Sequence, residues 1–367
     1  MKKMNRREAL RLLAFSAAAS LISCKREDPE VISAVPTPEP TVVPTNSPTE
    51  SPAPAAATTQ PTTSPTQTPE VTLTPASVKS DKPIVYMTTQ ITADALVKLY
   101  EALGRKAHGT VAVKISSGEP GGHHFLAPDL IKPLVSLVEG TIVECNVAYG
   151  GRRGRADSHL QVLEDHGFTA IAPVDVMDAD GTVELSITGG THLEHVVVGS
   201  HFIDYDFVVN LAHFKGHAMA GFGGVIKNMA IGIASSKGKS LIHSAGKSSF
   251  GLGLATQRDH FLEAMTEGAK GMAEHLGENI IYINVMNHLS VDCDCDGSPA
   301  APTMADIGML ASLDPVALDQ ACVDLVYAAS DSADLIKRME SRNGIHALEH
   351  AEAIGFGSRE YQLVELG

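Results

Sequence analysis

The sequence predicts an α/β fold in which a mostly parallel sheet carries helices on both faces. Strand-length runs rich in apolar, β-branched residues alternate with helical patterns, and the strands are almost continuously apolar, as in sheets buried on both sides. The predicted strands are 83–88, 110–115, 141–147, 206–211, 280–285 and 307–312. The predicted helices are 93–103, 128–138, 158–166, 260–276 and 315–328.

Each predicted element follows from its local sequence. The first strand reads PIVYMT, and the helix 93–103 follows it. The strands TVAVKI and TIVECNV precede the helices 128–138 and 158–166 in the same alternation, and the strand IIYINV follows the long helix 260–276. The last helix begins at Asp314-Pro315, because Asp caps a helix and Pro fits its first turn.

Residues 1–24 predict an export signal. A basic head with Arg6-Arg7 precedes a short apolar run and the segment Leu-Ile-Ser-Cys, which ends at Cys24. The Arg pair resembles a twin-arginine signal, and the last four residues resemble a lipobox in which Cys24 is acylated. We therefore expect export and a lipid anchor at the outer face of the cytoplasmic membrane or in the periplasm. An ordinary secretory signal is the alternative.

Residues 25–80 predict a disordered tether, since they are almost wholly Pro, Thr, Ser, Ala and Glu. Residues 81–367 are long enough for one large α/β domain or for two lobes that share a core. The formal net charge of −15 and the absence of a basic stretch after Arg155 argue against nucleic-acid binding. The lipid anchor is the only predicted membrane contact, and the sequence does not fix an oligomeric state.

The strongest chemical motif is Cys293-Asp-Cys295. In an extended chain the two sulfur atoms lie on the same side, so they suit one soft metal ion or one edge of an iron–sulfur cluster. His288 lies close enough in the sequence to join them. The alternatives are two buried or oxidised cysteines, although a disulfide between residues two positions apart would be strained.

A second motif contains His213, Lys215 and His217. The two histidines could bind the same metal ion, or all three side chains could hold an anion. The segment reads as a strand that runs into a loop, because Gly216 disfavours a helix. Two hydrogen-bonded loop histidines are the alternative.

Two further segments predict anion binding. The glycine-rich run with Gly223, Gly224, Lys227 and Asn228 leads into a helix whose backbone N–H groups could hold an anion. Close packing of that helix on the sheet would also explain the glycines. A second loop carries Arg152 and Arg153, whose guanidinium groups can form bidentate hydrogen bonds to a carboxylate or phosphate. A solvated basic loop is the alternative there.

The candidate segments converge in the predicted topology. Three of them follow the strands that end near 115, 147 and 211, and the cysteine motif follows the strand 280–285 after a short loop. Ligands in open parallel sheets usually bind beyond the carboxyl ends of the strands. We therefore expect one shared site.

The order of four motifs resembles the family of uncharacterised Fe–S centre proteins, the domain of unknown function 362. The motifs are HFKGH at 213–217, GGVIKN at 223–228, CDC at 293–295 and DIGMLASLDPVALD at 306–319. The resemblance implies a metal or iron–sulfur role and covers most of 84–367. Many relatives carry a cysteine-rich, ferredoxin-like insert before CDC, whereas residues 244–258 here contain no Cys. A four-thiolate cluster would therefore also need Cys145 and Cys322.

These observations predict an exported, lipid-anchored metalloprotein. Cys293 and Cys295 would be soft ligands, His213 and His217 would complete the shell, and the cofactor would be a metal ion or an iron–sulfur cluster. Arg152, Arg153, Lys215 and Lys227 would hold a small anionic ligand or substrate. Two alternatives stay open: a metal-independent enzyme with a His/Lys site, and a non-catalytic solute-binding lipoprotein.

Overall fold

A computed structural model describes residues 82–251 and 256–367. The predicted signal peptide 1–24 with Cys24 and the whole predicted tether 25–80 lie outside these residues. Within the described ranges, every helix is too short or too polar to span a bilayer.

The main sheet has eight strands in the order β12-β1-β11-β10-β7-β2-β3-β4. Five of its neighbouring pairs are parallel, and only β11 runs antiparallel to both of its neighbours. Its strands are β1 (Ile84–Thr88), β2 (Val111–Lys114), β3 (Thr141–Glu144), β4 (Val174–Val176), β7 (Phe207–His213), β10 (Ile280–Met286), β11 (Gly308–Ser312) and β12 (Gln362–Glu365). Two small antiparallel pairs are β5 (Thr182–Ser186) with β6 (His195–Gly199), and β8 (Lys215–His217) with β9 (Gly221–Gly223).

Helices cover both faces of this sheet. One apolar core contains residues of α1, α2 and α3, and a second core contains residues of α4, α6, α7 and α9. Successive strand residues alternate between the two cores, as Val208 and Val209 show on β7. The α-helices of the described ranges are α1 (Ala93–Ala102), α2 (Pro128–Leu137), α3 (Ala156–Asp165), α4 (Val225–Ile233), α5 (Ser236–His243), α6 (Arg258–Leu276), α7 (Pro315–Ala328), α8 (Ala333–Ser341) and α9 (His346–Ala353).

The predicted fold class is confirmed, and each predicted strand and helix corresponds to an observed one with small shifts of its ends. Asp314 caps α7 as expected, because its carboxylate accepts the N–H groups of Val316 and Ala317. The short strands β4, β8, β9 and β12 and the hairpin of β5 and β6 have no counterpart among the predicted elements. These segments are too short or too polar to give a clear periodic pattern.

The parallel strands place charged and histidine side chains at one edge of the sheet. β2 ends at Lys114, β3 ends at Glu144 and β7 ends at His213, and the three strands are adjacent and point in the same direction. β10 lies beside β7 with Val285 opposite His213, so the loop after β10 leaves at the same edge. This is the edge at which open α/β sheets bind ligands.

Asp319 on α7 fixes the start of α4. Its buried carboxylate accepts the N–H groups of Val225 and Ile226 at 2.9 and 3.1 Å, and it also accepts the side-chain N–H of Asn284 at 2.7 Å. Gly224 allows this approach, because a Cβ there would lie 2.2 Å from the Asp319 carboxylate. Burial raises the pKa of Asp319 to about 6, against the opposing effect of these three hydrogen bonds. The amino end of α4 is therefore satisfied from within the protein.

We expect Asp319→Ala to lower the free energy of unfolding by about 3 kcal/mol, because it leaves three buried N–H groups without a partner. Thermal unfolding followed by circular dichroism should show a melting temperature that is lower by roughly 6–12 °C. Asp334→Ala is the matched control, since Asp334 lies exposed in the first turn of α8. Equal melting temperatures for the two variants would contradict this account of α4.

Candidate anion-binding site

A cavity of about 270 Å³ lies at the carboxyl edge of the sheet. Strand ends, the start of α4, helix α5 and the cysteine loop all contribute to its wall. Its charged, histidine and cysteine residues are Lys114, Glu144, Cys145, Arg153, His213, His217, Lys227, Lys239, His243, Cys293, Asp294 and Cys295. The structure thus brings together segments that are far apart in the sequence, as the strand topology predicts.

Glu144 is the centre of the first ion cluster in the wall. Its carboxylate lies 2.9 Å from Lys114 Nζ and 2.8 Å from Arg153 Nη2, and all three side chains are almost fully buried. Burial alone would raise the pKa of Glu144, but the two cations outweigh it and hold the pKa well below its ordinary value. Glu144 is therefore ionised and already paired with two positive charges.

The two arginines of the basic loop have different environments. Arg153 is buried and also contacts Glu119 at 3.1 Å, so its guanidinium is held in place at the cavity. Arg152 lies on the surface, where it pairs with Asp165 at 2.6 Å and has a side chain that is 45% exposed. Arg152 does not line the cavity, because the short helical turn at 152–154 directs the two side chains to different partners.

Asp294 is the centre of the second ion cluster. Its carboxylate accepts a hydrogen bond from Lys215 Nζ at 2.7 Å and contacts His213 Nδ1 at 2.9 Å. Burial alone would raise the pKa of Asp294, but His213 and Lys215 outweigh it and lower the pKa. The other nitrogen of His213 lies 2.8 Å from the carbonyl oxygen of Asn287. Both ring nitrogens of His213 are thus engaged by acceptor atoms of the protein.

This cluster engages both His213 and Lys215 within the protein. Because Asp294 and the Asn287 carbonyl oxygen hold its two ring nitrogens, His213 does not join His217, Cys293 and Cys295 as a grouped donor, so this arrangement does not support the metal-ligand role predicted for it. Lys215 is 2% exposed, and its remaining hydrogen bond reaches the carbonyl oxygen of His124 at 2.7 Å. Both residues instead hold the cysteine loop through Asp294.

Cys293 and Cys295 form a disulfide in this structure. The sequence predicts free thiolates here, whereas the covalent bond removes both sulfur atoms as thiolate ligands for as long as it persists. The loop that carries them packs closely on β8, where Gly216 N–H donates to Ser290 at 2.8 Å. Gly216 makes this approach possible, because a Cβ there would lie 2.4 Å from the Val291 carbonyl oxygen.

His217 lies beside the disulfide and presents a donor to the cavity. Its Nδ1 accepts the N–H groups of Met219 and Ala220 at 3.3 and 2.9 Å, so the proton of the neutral ring is on Nε2. Burial, together with the charge of Lys227, lowers the pKa of His217 well below its ordinary value. The ring is therefore neutral, with an Nε2–H group that has no hydrogen-bond partner among the described residues.

Lys227 carries the charge of this part of the wall. No carboxylate of the described residues lies within 4.0 Å of its ammonium group, unlike the ammonium groups of Lys114 and Lys215. Burial lowers the pKa of Lys227 to about 8, and nearby Lys114 contributes to the decrease. At neutral pH Lys227 is therefore protonated in most molecules. Its ammonium group lies at the cavity without an anionic partner among the described residues.

Lys239 and His243 are functional candidates that the sequence analysis missed. Lys239 donates to the Ala234 carbonyl oxygen at 2.6 Å, and burial lowers its pKa. His243 Nδ1 lies 2.7 Å from the Lys239 carbonyl oxygen, so the lone pair of the neutral ring is on Nε2. Both residues belong to α5, whose start at Ser235-Ser-Lys-Gly-Lys resembles a phosphate-binding loop but lacks its glycine spacing.

The glycine-rich run lines the cavity in a different way from the one expected. Gly223, Gly224 and Asn228 belong to the wall, but the N–H groups at the start of α4 are bonded to Asp319 rather than open to a ligand. Asn228 bridges the strand ends, since its side chain donates to the Lys114 carbonyl oxygen at 3.1 Å and to Asn210 at 2.7 Å. Side chains therefore supply the cationic character of the cavity.

The described residues include a possible metal-binding group at this site. His217, Cys293 and Cys295 offer donor atoms that all lie within 4.8 Å of one another. Two sulfurs and one imidazole suit a single soft metal ion once the disulfide is reduced. A four-thiolate cluster does not fit, because Cys322 lies in the core beside Asn284 rather than on the cavity wall. Cys145 does reach the wall, but burial raises its thiol pKa to about 12.

Comparison with solved structures finds eight similar chains, and two of them have 13% sequence identity and a TM-score of 0.39. One is the lactate racemase apoprotein from Thermoanaerobacterium thermosaccharolyticum, with 66% of this chain and 56% of that chain covered. The other is a protein from Thermotoga maritima, with 68% and 58% covered. This chain thus spans little more than half the length of either. No curated protein matches the sequence significantly.

Comparison with family models gives a clear match. The model described as Domain of unknown function (DUF362) matches residues 111–324, which is more than half of the 367 residues. The matched region contains the strand ends, the start of α4 and the cysteine loop that form the cavity. The chain belongs to the DUF362 family.

Proposed function

We propose that this protein binds a small anion, of the carboxylate or phosphate type, in the cavity at the carboxyl edge of the sheet. The observation that carries the proposal is the ammonium group of Lys227, which lines the cavity without an anionic partner among the described residues. A buried charge of this kind is costly unless something compensates it, and a bound anion would do so.

The charge balance of the wall supports this proposal. Glu144 is paired with Lys114 and Arg153, and Asp294 is paired with Lys215 and His213. Arg153 is shared with Glu119, so each of these acids is paired within the protein, whereas the Lys227 ammonium has no carboxylate within 4.0 Å among the described residues. The Nε2–H group of His217 supplies a neutral donor beside this charge. A small oxyanion matches both the charge and the donors.

We expect Lys227→Met to abolish anion binding and to stabilise the unliganded protein. Removing the unpaired ammonium relieves a burial cost on the order of 2 kcal/mol, so the melting temperature without ligand should rise. The measurement is a thermal-shift titration with inorganic phosphate, sulfate, acetate, succinate and citrate. The wild type should be stabilised by at least one of these anions, whereas Lys227→Met should respond to none.

The control for this experiment is Lys237→Met, since Lys237 is exposed on the same wall helix α5. It should keep the wild-type ligand response. A pH series gives a second measurement: Lys227 is protonated below its pKa of about 8, so anion affinity should fall as the pH rises from 7 to 9. Equal ligand responses of Lys227→Met and wild type would refute the anion site.

A second candidate function is redox-dependent binding of one soft metal ion, such as zinc or iron, by Cys293, Cys295 and His217. The proximity of their donor atoms favours it. Two changes must precede binding. A dithiol reductant must convert the disulfide to two thiols, and the reductant itself becomes a disulfide. The His217 ring must also offer a nitrogen lone pair to the metal, either by moving its proton from Nε2 to Nδ1 or by turning Nδ1 towards the metal. The anion site needs neither change.

We expect Co²⁺ to give thiolate-to-metal charge-transfer absorption only after anaerobic reduction with dithiothreitol and removal of that reductant, because only thiolates produce this band. The band should be absent from the Cys293→Ser/Cys295→Ser variant and present in Cys145→Ser, whose replaced thiol only donates to the Ile233 carbonyl oxygen. If the reduced wild type shows no such band, the cysteine pair does not bind metal under these conditions and the second candidate fails.

The cellular part of the proposal is export and lipid anchoring through Cys24. It is supported by the sequence of 1–24, and a disulfide at 293–295 suits an oxidising compartment outside the cytoplasm. In such a location the tether 25–80 would separate the domain from the membrane surface.

We expect the full chain to fractionate with membranes in a host that has twin-arginine export, and Cys24→Ala to release it from them. Replacement of Arg6 and Arg7 by Lys should retain the protein in the cytoplasm, because a twin-arginine signal depends on the pair. Immunoblots of cytoplasmic, membrane and soluble exported fractions provide the measurement. Export that persists with the Lys pair would indicate an ordinary secretory signal instead.

A further inference from the structure

A second group of metal-ligand side chains lies outside the cavity. His192, in the loop between β5 and β6, meets His260 and Glu263 of α6, and one donor atom from each lies within 4.8 Å of the others. None of the three lines the cavity described above. His260 and Glu263 are three residues apart on α6, a spacing that places both on one face of the helix.

We propose that His192, His260 and Glu263 bind one divalent transition-metal ion, such as Zn²⁺. Two imidazoles and one carboxylate are a common protein ligand set for zinc, and a water molecule would fill the remaining position. Imidazole also distinguishes this site from calcium and magnesium sites, which use oxygen ligands. This inference does not depend on the anion site.

The loop that presents His192 is held firmly. Glu267, fully buried one turn after Glu263, accepts the backbone N–H groups of Thr191, His192 and Leu193 at 2.8, 2.9 and 2.9 Å. The imidazole of His192 is thereby brought to α6, where its Nε2 contacts the Glu263 carboxylate. A ligand on a loop with a fixed backbone loses little freedom when metal binds.

The carboxylate ligand is also oriented by a neighbour. His346 at the start of α9 contacts Glu263 through Nε2 at 2.8 Å, using the oxygen that His192 does not use. Groups of this kind, which bond to a ligand rather than to the metal, commonly change metal affinity by 10- to 100-fold. His346 is therefore a positioning residue, and through it the metal would connect α9 to α6 and the loop.

The site is open enough for an ion to enter. The side chains of His192 and Glu263 are 15% and 19% exposed, so the donor atoms are partly shielded but not sealed from solvent. In this structure His192 Nε2 and the Glu263 carboxylate contact each other directly. A metal ion would replace this contact and join the two side chains through the ion.

The test measures Zn²⁺ binding to the full chain by isothermal titration calorimetry. The protein is purified without a polyhistidine tag, which would itself bind Zn²⁺. The Cys293→Ser/Cys295→Ser background removes the cysteine site from the measurement. We expect one Zn²⁺ per chain, at least a tenfold loss of affinity in Glu263→Gln and in His260→Ala, and a 10- to 100-fold loss in His346→Ala. The matched control is His195→Ala, which should bind as tightly as the background because His195 is 41% exposed on β6 and lies outside the group.

If Glu263→Gln unfolds, His260→Ala still tests the proposal. The side chain of His260 makes no hydrogen bond among the described residues, and its ring packs against the ring of His192. Co²⁺ should give d–d absorption without sulfur charge transfer in the same background, which separates this site from the cysteine pair. If Zn²⁺ does not bind, or if it binds His260→Ala as tightly as the background, the three side chains are a hydrogen-bonded cluster only and the proposal is wrong.

Discussion

The buried ion cluster around Asp294 is the interaction on which the site depends. Asp294 lies between the two cysteines, and its carboxylate joins their loop to His213 at the end of β7 and to Lys215 on β8. An ion pair with so little solvent exposure is strong only when each partner is well placed, and losing either one leaves a buried charge. A single carboxylate therefore links the disulfide loop to two neighbouring strands.

The same arrangement explains why the cavity is cationic although the whole chain is acidic. The two acids of the wall are both paired within the protein, Glu144 with Lys114 and Arg153, and Asp294 with Lys215 and His213. The ammonium group of Lys227 has no such partner among the described residues. The net charge of −15 belongs to the whole sequence and says little about this enclosed region. The ion pairs in the wall, rather than the overall composition, determine the sign of the charge inside the cavity.

Sequence patterns predict the sheet and the convergence of its strand ends, because apolar runs and helical periodicity are local properties. They do not reveal pairs that form across long separations, such as Asp319 with the start of α4 or Asp294 with His213. For this reason His213 was expected to bind metal, and the α4 N–H groups were expected to bind an anion. The sequence likewise does not reveal that the adjacent residues Arg152 and Arg153 have different partners, Asp165 on the surface and Glu144 at the cavity.

The capping of α4 by Asp319 has a consequence for ligand selectivity. A cradle of backbone N–H groups imposes fixed directions on the atoms it binds, whereas ammonium groups on flexible stems impose mainly a charge. Because Asp319 occupies the helix end, the anion proposed for the cavity would be held by lysine side chains and one imidazole. Such a surface would tolerate differences in ligand geometry, so related anions of similar size and charge would compete for it on nearly equal terms.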